Sequence, residues 1–414
     1  MQAFSFSSIW KNFFNLGLFQ AAGMLLQLLV IPIITKKYGL ASFGEVALAS
    51  SIGLFLANLI NYGTNQTAVK DVSIHRNDKD KLSFIFNEIF WLRVVVFATI
   101  TTTTTIITIT SKYEYLILWF SILPLLVSEI FNPLYFLIGI EKIQWISWGN
   151  IITRTLSVGS IFFINLHLNI PAQLNMLLFV PLLIFYLIIF FYIIRKFELS
   201  FTFEPLHSLN KKIKENFYVT FNGSSVILQQ SIFMFAVAGV ASPQSLGAYG
   251  IIDKLLGAVR QLVSAFSSAI YPKAAQLFHD SRSSWKTFRK KIQIGYAVFF
   301  LIIALFILKF SNLGSIIFTH KEDPTTILFF KLFSLAPLAL ALNANNVLEL
   351  LLEKQYKKMF DISLIILMVT GLISFSITRY INESAIGLYP LIIESVCLII
   401  YTVFIRINKK TSFE

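Results

Sequence analysis

Long apolar stretches separated by short polar segments run through the whole chain, and this pattern predicts an all-α membrane protein. A helix that crosses about 30 Å of hydrocarbon needs roughly 20 mostly apolar residues. Twelve stretches meet that requirement, so we expect twelve transmembrane helices. They cover approximately residues 9–34, 43–63, 84–109, 115–138, 145–166, 174–194, 216–239, 246–271, 292–310, 326–352, 359–379 and 385–405.

The composition agrees with a membrane protein and excludes other classes. Of the 414 residues, 56% are hydrophobic and 13% are charged, whereas soluble proteins carry about 25% charged residues. So few charges cannot cover the surface of a water-soluble globule of this size. The single cysteine, Cys397, excludes an intramolecular disulfide. The histidines are scattered without metal-ligand spacing, so we expect neither a metal site nor a cofactor.

The net charge of +13 lies in short clusters between the apolar stretches and not along one basic face. It therefore indicates membrane topology and not nucleic-acid binding. Lys and Arg residues near the ends of membrane helices are retained on the cytoplasmic side. Placing both termini in the cytoplasm puts most of the 34 Lys and Arg residues on that side, including the clusters at 195–214 and 273–291.

An internal repeat divides the chain into two halves of six predicted helices. A shift of 203 residues pairs Gly44 with Gly247, and a shift of 213 residues pairs Pro124 with Pro337. An even number of spans gives both halves the same orientation in the membrane. We therefore predict two pseudo-twofold-related six-helix bundles around a central cleft, residues 1–195 and 216–414, joined by a cytoplasmic linker at 196–215. This is the architecture of an alternating-access carrier.

Polar and ionisable side chains within the predicted spans are the candidate site residues, because such groups are costly in a bilayer and need a protein or water partner. In the eighth span, polar and small residues recur at three- and four-residue steps and form one stripe of the helix: Gly250, Asp253, Gly257, Arg260 and Ser264. The candidate substrate-binding residues are Arg260, Asp253, Lys254, Gln27, Asn58, Asn61, Asn222, Gln229, Gln230, Ser264, Arg93 and Arg154. The candidate coupling-ion residues are Asp253, Glu129 and Glu394.

The chemistry of these residues indicates the kind of cargo. A guanidinium group matches phosphate oxygens in a bidentate way, and amides suit sugar hydroxyls because they both donate and accept hydrogen bonds. A diphosphate head group with attached sugar is therefore a plausible cargo. The alternative for each of the charged residues Arg93, Glu129, Arg154 and Glu394 is a structural ion pair, and the sequence leaves both interpretations open.

Several functional classes lack their expected signatures. No loop is long enough to hold a nucleotide-binding domain, and no Gly-rich phosphate loop ending in Lys-Ser or Lys-Thr occurs. Transport driven directly by ATP hydrolysis is therefore excluded. The predicted outer loops lack the clustered acids, histidines or arginines with which an enzyme would position sugars. We therefore expect a transporter and not an enzyme.

Three features resemble the Wzx-type O-antigen flippases, which belong with the MATE exporters to one superfamily. They are the stretch from Pro32 to Gly44 (PIITKKYGLASFG), the second span ending in Asn61-Tyr62-Gly63, and the doubled six-helix plan. The resemblance implies that an undecaprenyl-diphosphate-linked oligosaccharide repeat unit crosses a bacterial inner membrane to the periplasmic leaflet, for lipopolysaccharide synthesis. It also implies a cationic cavity between the first, second, seventh and eighth helices. The first two helices here lack a deep Arg or Lys, which leaves most of that role to the eighth.

The same resemblance suggests partners, and the sequence leaves two rival functions. The candidate partners are the lipid bilayer, the polymerase and chain-length proteins of the same pathway, and H⁺ or Na⁺ as a coupling ion. One rival is a MATE-like or major-facilitator exporter of small molecules, which would have the same spans. The other is a polysaccharide polymerase, which the short outer loops disfavour.

Overall fold

The computed structural model describes residues 6–111, 116–203, 206–380 and 383–411, and within these ranges every regular element is helical. A short 3₁₀ helix (Glu383–Leu388) precedes the last α-helix. The α-helices are α1 (Phe6–Asn61), α2 (Thr64–Ile74), α3 (Lys79–Ser111), α4 (Leu116–Ser121), α5 (Leu123–Ile130), α6 (Leu134–Gly139), α7 (Gln144–Phe163), α8 (Ile170–Lys196), α9 (Leu206–Ala238), α10 (Pro243–Asp280), α11 (Arg282–Lys309), α12 (Ser311–Thr319), α13 (Pro324–Phe333), α14 (Ala336–Leu352), α15 (Tyr356–Tyr380) and α16 (Tyr389–Thr411).

Nine helical segments of the described residues are long and apolar enough to cross a membrane. The second predicted span and the last part of the first fall within one of them, Gly23–Ile74, and neither α7 nor α10 is among the nine. α10 has 38 residues, but polar side chains such as Asp253, Lys254 and Arg260 lower its hydropathy. The prediction of an all-helical, multi-pass membrane protein is confirmed, whereas the count of twelve spans in two bundles stays a prediction.

The first two predicted spans are joined by a single non-helical residue and not by a polar loop. Gly39 has φ 85° and ψ 164°, and helical conformation continues on both sides of it. A positive φ of this kind is readily adopted by glycine, which has no Cβ to clash with the backbone. The chain therefore changes direction at Gly39.

Prolines interrupt the fourth and tenth predicted spans, which the sequence presented as continuous stretches. Pro124 and Pro337 lie in the first turns of α5 and α14, directly after breaks in the helix. Proline removes a backbone donor and clashes with the preceding turn, so a helix restarts at it. The fourth span has a second break at Pro133, between α5 and α6. In the second half of the repeat, the position equivalent to Pro133 is Asn346, 213 residues later. Because asparagine keeps its backbone N–H, α14 continues through this position without a break.

The chain forms two compact units that do not coincide with the order of the sequence. The N-unit comprises Phe14–Ile33 and Glu45–Ser231. The C-unit comprises Met1–Phe13, Ile34–Gly44 and Ile232–Glu414. The connection between the first two spans thus belongs to the C-unit.

Within the C-unit, the two glycines that the repeat pairs lie against each other. A Cβ added to Gly44 would lie 2.6 Å from the backbone nitrogen of Gly247 and 2.7 Å from the carbonyl oxygen of Pro243. Both distances are shorter than van der Waals contact, so only glycine allows this approach of two backbones.

We expect Gly44→Ala to destabilise the C-unit by about 1–3 kcal/mol, because the added methyl group forces two backbone segments apart. Thermal unfolding of the purified protein in detergent measures the effect. Gly295→Ala in α11 is the matched control, since a Cβ there would meet no atom within 4 Å and alanine favours the helix. Equal thermal unfolding midpoints for Gly44→Ala and Gly295→Ala would contradict the close packing at Gly44.

A buried lysine fixes the start of α9 within the N-unit. Lys212 is 8% exposed, and its Nζ lies 3.2 Å from Asp71 Oδ2 and 3.4 Å from Glu88 Oε2. An ammonium group this deep needs such carboxylate partners. The second part of the predicted linker, residues 206–215, is therefore helical and packed against α2 and α3. The predicted domain boundaries themselves stay a prediction.

The outward-facing side chains fit a lipid environment. Large apolar residues are exposed along α11: Ile294, Val298, Phe299, Leu301, Ile302, Leu305 and Phe306. On a protein in water, a contiguous apolar face of this kind would mark an interaction surface. On a multi-pass membrane protein, the bilayer covers it.

Candidate functional site

A cavity of about 290 Å³ lies inside the N-unit, where the end of α1, the start of α2, α5 and α9 come together. Its walls combine amide, hydroxyl and carboxyl groups with small apolar residues. The lining residues are Leu54, Ala57, Asn58, Asn61, Gly63, Asn65, Gln66, Glu129, Val219, Thr220 and Gly223. The cavity therefore contains three of the residues that the sequence identified as site candidates: Asn58, Asn61 and Glu129.

A tight turn between α1 and α2 shapes one wall of the cavity. Tyr62 and Gly63 both have positive φ angles, 49° and 68°, and reverse the chain within two residues. Thr64 Oγ1 donates to the Asn61 carbonyl at 2.6 Å, and the backbone N–H of Asn65 donates to Asn61 Oδ1 at 3.3 Å. These bonds close the turn and place the side chains of Asn61 and Asn65 on the same wall.

Two amides orient the carboxylate of Glu129. Asn61 Nδ2 donates to Glu129 Oε2 at 3.3 Å, and Asn132 Nδ2 donates to the same oxygen at 2.9 Å. The residues that the structure describes include no hydrogen-bond donor to Oε1, and none of their Lys or Arg side chains forms an ion pair with this carboxylate. Glu129 therefore presents a carboxyl group with a free oxygen, Oε1, to the cavity.

Arg93 lies behind the cavity wall and holds the break in the fourth span together. Because Pro133 has no N–H, the Glu129 carbonyl lacks its usual helical donor. Arg93 Nη1 supplies one at 3.0 Å and also donates to the Asn132 carbonyl at 2.7 Å. Its Nε and Nη2 both donate to Thr64 Oγ1, at 3.0 and 2.7 Å. The side chain is 1% exposed, so we interpret it as structural.

The opposite wall of the cavity is formed by α9. Asn58 Nδ2 donates to Ser224 Oγ at 2.9 Å and so joins α1 to α9. Thr220 and Gly223 line this wall, and Asn65 and Gln66 line the other. The sequence analysis missed these four residues. Their signal was weak, because Asn65 and Gln66 follow the second apolar stretch and resemble an ordinary polar loop.

In the C-unit, the stripe on α10 carries an ion pair. Arg260 Nη2 donates to Glu394 Oε1 of α16 at 2.8 Å. The Arg260 side chain is 26% exposed and that of Glu394 is 9% exposed, so the guanidinium is the more accessible partner. Lys254 Nζ lies 3.9 Å from Asp253 Oδ2. A Cβ added to Gly257 would meet no atom within 4 Å, so the stripe is open at its centre.

The remaining candidates lie apart from the cavity. In the N-unit, Arg154 of α7 donates to the Gly23 carbonyl of α1, and its side chain is half-buried. Among the other candidates, two are half-buried, Gln27 and Gln229, and three are exposed, Asn222, Gln230 and Ser264. The structure therefore brings some of the candidates together in an amide-rich cavity of the N-unit and others on a charged stripe of the C-unit, and leaves the rest apart from both.

Known proteins with similar sequences and folds are transporters. A protein of Escherichia coli (strain K12) named "Putative O-antigen transporter" is 24% identical over 419 residues, which cover 97% of this chain and 98% of the relative. An inward-facing multidrug resistance MATE family transporter of the MOP superfamily superposes with a TM-score of 0.76 at 14% identity, covering 94% of this chain and 95% of the other. The lipid II flippase MurJ in an inward closed conformation gives a TM-score of 0.69 at 13% identity, covering 94% and 87%.

At these identities the two structures show the fold alone, which is MATE-like. The matched proteins are transporters and flippases and not catalysts, so the prediction that the chain is not an enzyme is confirmed. The resemblance to the lipid flippases of the MATE superfamily is confirmed as well. The family model described as "Polysaccharide biosynthesis protein" matches residues 9–278. Because this match covers more than half of the sequence, the chain belongs to the polysaccharide biosynthesis protein family.

Proposed function

We propose that this protein moves an undecaprenyl-diphosphate-linked oligosaccharide repeat unit from the cytoplasmic to the periplasmic leaflet of a bacterial inner membrane. The observation that carries the proposal is the amide-rich cavity of the N-unit, a polar cavity inside a multi-pass membrane protein. Membership of the polysaccharide biosynthesis family and the relative named as an O-antigen transporter support the same kind of cargo.

The two units offer different chemistry to such a cargo. In the N-unit, the amides of Asn58 and Asn61 match sugar hydroxyls. In the C-unit, Arg260 uses Nη2 for Glu394, which leaves other guanidinium N–H groups for phosphate oxygens. Lys254 adds a second cation to the same helix. A lipid-linked diphosphate sugar carries both hydroxyl groups and phosphate oxygens.

We propose alternating access as the mode of transport, with residues 1–195 and 216–414 as the two moving bundles and 196–215 as their linker. In the orientation that the loop charges predict, both termini are cytoplasmic and the cavity lies near the cytoplasmic ends of the second and seventh spans. A sugar would then enter from the side on which it is synthesised. Coupling to H⁺ or Na⁺ through Asp253, Glu129 or Glu394, and contact with polymerase and chain-length proteins, are parts of the same proposal.

Deletion of the gene in its own host tests the proposal. We expect the deletion strain to lose its surface polysaccharide and to accumulate single lipid-linked repeat units on the cytoplasmic side. Re-expression of the wild-type protein should restore the polymer. Normal surface polymer in the deletion strain would contradict the proposal.

Export of a small molecule is the second candidate, since the MATE transporter shares the fold with a TM-score of 0.76. The sequence departs from a major-facilitator carrier, because residues 64–83 lack the Gly-x-x-x-Asp-Arg turn often found there. Accumulation of fluorescent drugs in cells with and without the protein distinguishes export from lipid transport. We expect no difference in drug accumulation.

A further inference from the structure

The cavity in the N-unit has the size and polarity of a site for one sugar residue. Ligand pockets generally measure roughly 300–1,000 Å³, so its volume of about 290 Å³ is at the small end of that range. A bare cation needs far less space. Side-chain amides and a hydroxyl from Asn58, Asn65, Gln66 and Thr220 line it, and these groups both donate and accept hydrogen bonds.

The charge of the cavity is set by Glu129. Its Oε2 is occupied by two amides, which fixes the carboxylate in place and leaves Oε1 to accept from a ligand. Hydrogen bonds from sugar hydroxyls or an ammonium group to a carboxylate are charge-assisted and strong. A second carboxylate in the same cavity would instead meet like charge, and none of the described lining residues is a cation that could offset the repulsion.

The nearby guanidinium does not change this preference. All the nitrogens of Arg93 already donate to oxygens of the protein, including Asn65 Oδ1 at 3.0 Å. The guanidinium lies behind the cavity wall, where Nη1 donates to the backbone carbonyl of Glu129 and not to its carboxylate. Of the described residues that line the cavity, none is Lys, Arg or His.

We propose that this cavity binds a neutral or amino sugar of the lipid-linked oligosaccharide and rejects an acidic sugar, with Glu129 as the specificity-determining residue. The inference rests on the proposed function and adds to it the class of sugar that the N-unit accepts. It separates the recognition of the sugar from that of the diphosphate.

Binding of two synthetic probes to the purified protein in lipid nanodiscs tests the inference. Both probes carry a short polyprenyl diphosphate, linked in one to N-acetylglucosamine and in the other to glucuronic acid. We expect the wild-type protein to bind the neutral probe at least about tenfold more tightly. Glu129→Gln should bring the two affinities close together by strengthening binding of the glucuronic acid probe.

Two further variants keep the test decisive if Glu129→Gln folds poorly. Gln66 lines the cavity but is exposed, so Gln66→Lys should fold and should raise the affinity for the glucuronic acid probe about tenfold. Glu322→Gln, in an exposed loop of the C-unit, is the control and should leave both affinities unchanged.

The possible outcomes separate this inference from the proposed function. Equal affinity of the wild-type protein for the two probes would overturn the sugar preference and leave lipid-linked sugar transport standing. A similar loss of both affinities in Glu129→Gln would overturn the specificity role of Glu129. Failure of the wild-type protein to bind either probe would overturn the proposed function together with the inference.

Discussion

Replacing Arg93 with methionine should abolish stable folding of the N-unit. The substitution keeps an apolar side chain of similar length but removes the guanidinium donors to the carbonyls of Glu129 and Asn132 and to the oxygen of Thr64. It also leaves the Glu129 carboxylate without a nearby compensating charge. Removing one partner of a buried charge network costs about 3–5 kcal/mol, which is a large part of a protein's total stability.

The amount of monodisperse protein extracted from membranes and its thermal midpoint measure this loss. Arg195→Met is the matched control, because Arg195 is exposed at the end of α8 and the same substitution there should have little effect. Arg93→Lys should be intermediate, since an ammonium group cannot reproduce the planar set of donors. Normal yield and midpoint in Arg93→Met, with loss of transport alone, would contradict the structural role and favour contact with cargo.

Replacing Arg260 with alanine should reduce transport at least about tenfold, because the guanidinium is the accessible partner of its ion pair and offers further donors to phosphate. We expect the protein level to fall less than in Arg93→Met, since Arg260 is 26% exposed. Delivery of lipid-linked units to the periplasmic leaflet in a deletion strain measures transport. Arg406→Ala, at an exposed position of α16, serves as the control.

A charge exchange between Arg260 and Glu394 separates a structural pair from a cargo contact. The double variant Arg260→Glu/Glu394→Arg keeps an ion pair between α10 and α16, so it should restore the protein level. It moves the cation away from the open stripe of α10, so it should not restore transport. Recovery of transport in the double variant would contradict a direct role of Arg260 in binding phosphate.

The helical content and the polar stripe could be predicted because each depends on local periodicity. A stretch of about 20 apolar residues specifies a membrane helix by itself, and residues three and four positions apart share a face of any helix. The seven-residue spacing of Asp253 and Arg260 therefore places both on one face of α10, whatever packs against that helix. The repeat likewise pairs Gly44 with Gly247, and the backbones of these two residues lie in close contact.

The partners of the charged residues could not be predicted, because they depend on contacts between distant segments. Arg93 appeared to be a candidate for binding cargo, whereas the break at Pro133 gives it carbonyl groups to satisfy. That break lies about 40 positions later in the sequence, and apolar composition does not reveal it. Similarly, Asn65 and Gln66 become part of a cavity only because the turn at Gly63 brings α2 against α9.

Translocation of a lipid-linked sugar by the purified protein is the most direct test of the central claim. Liposomes would contain a fluorescent undecaprenyl-diphosphate oligosaccharide in both leaflets, and a membrane-impermeant quencher would be added outside. With the protein present, we predict that quenching proceeds beyond the outer-leaflet fraction as lipid from the inner leaflet becomes accessible, and that Arg260→Ala slows this phase. Quenching that stops at the level of protein-free liposomes, under an imposed H⁺ or Na⁺ gradient as well as without one, would contradict the account.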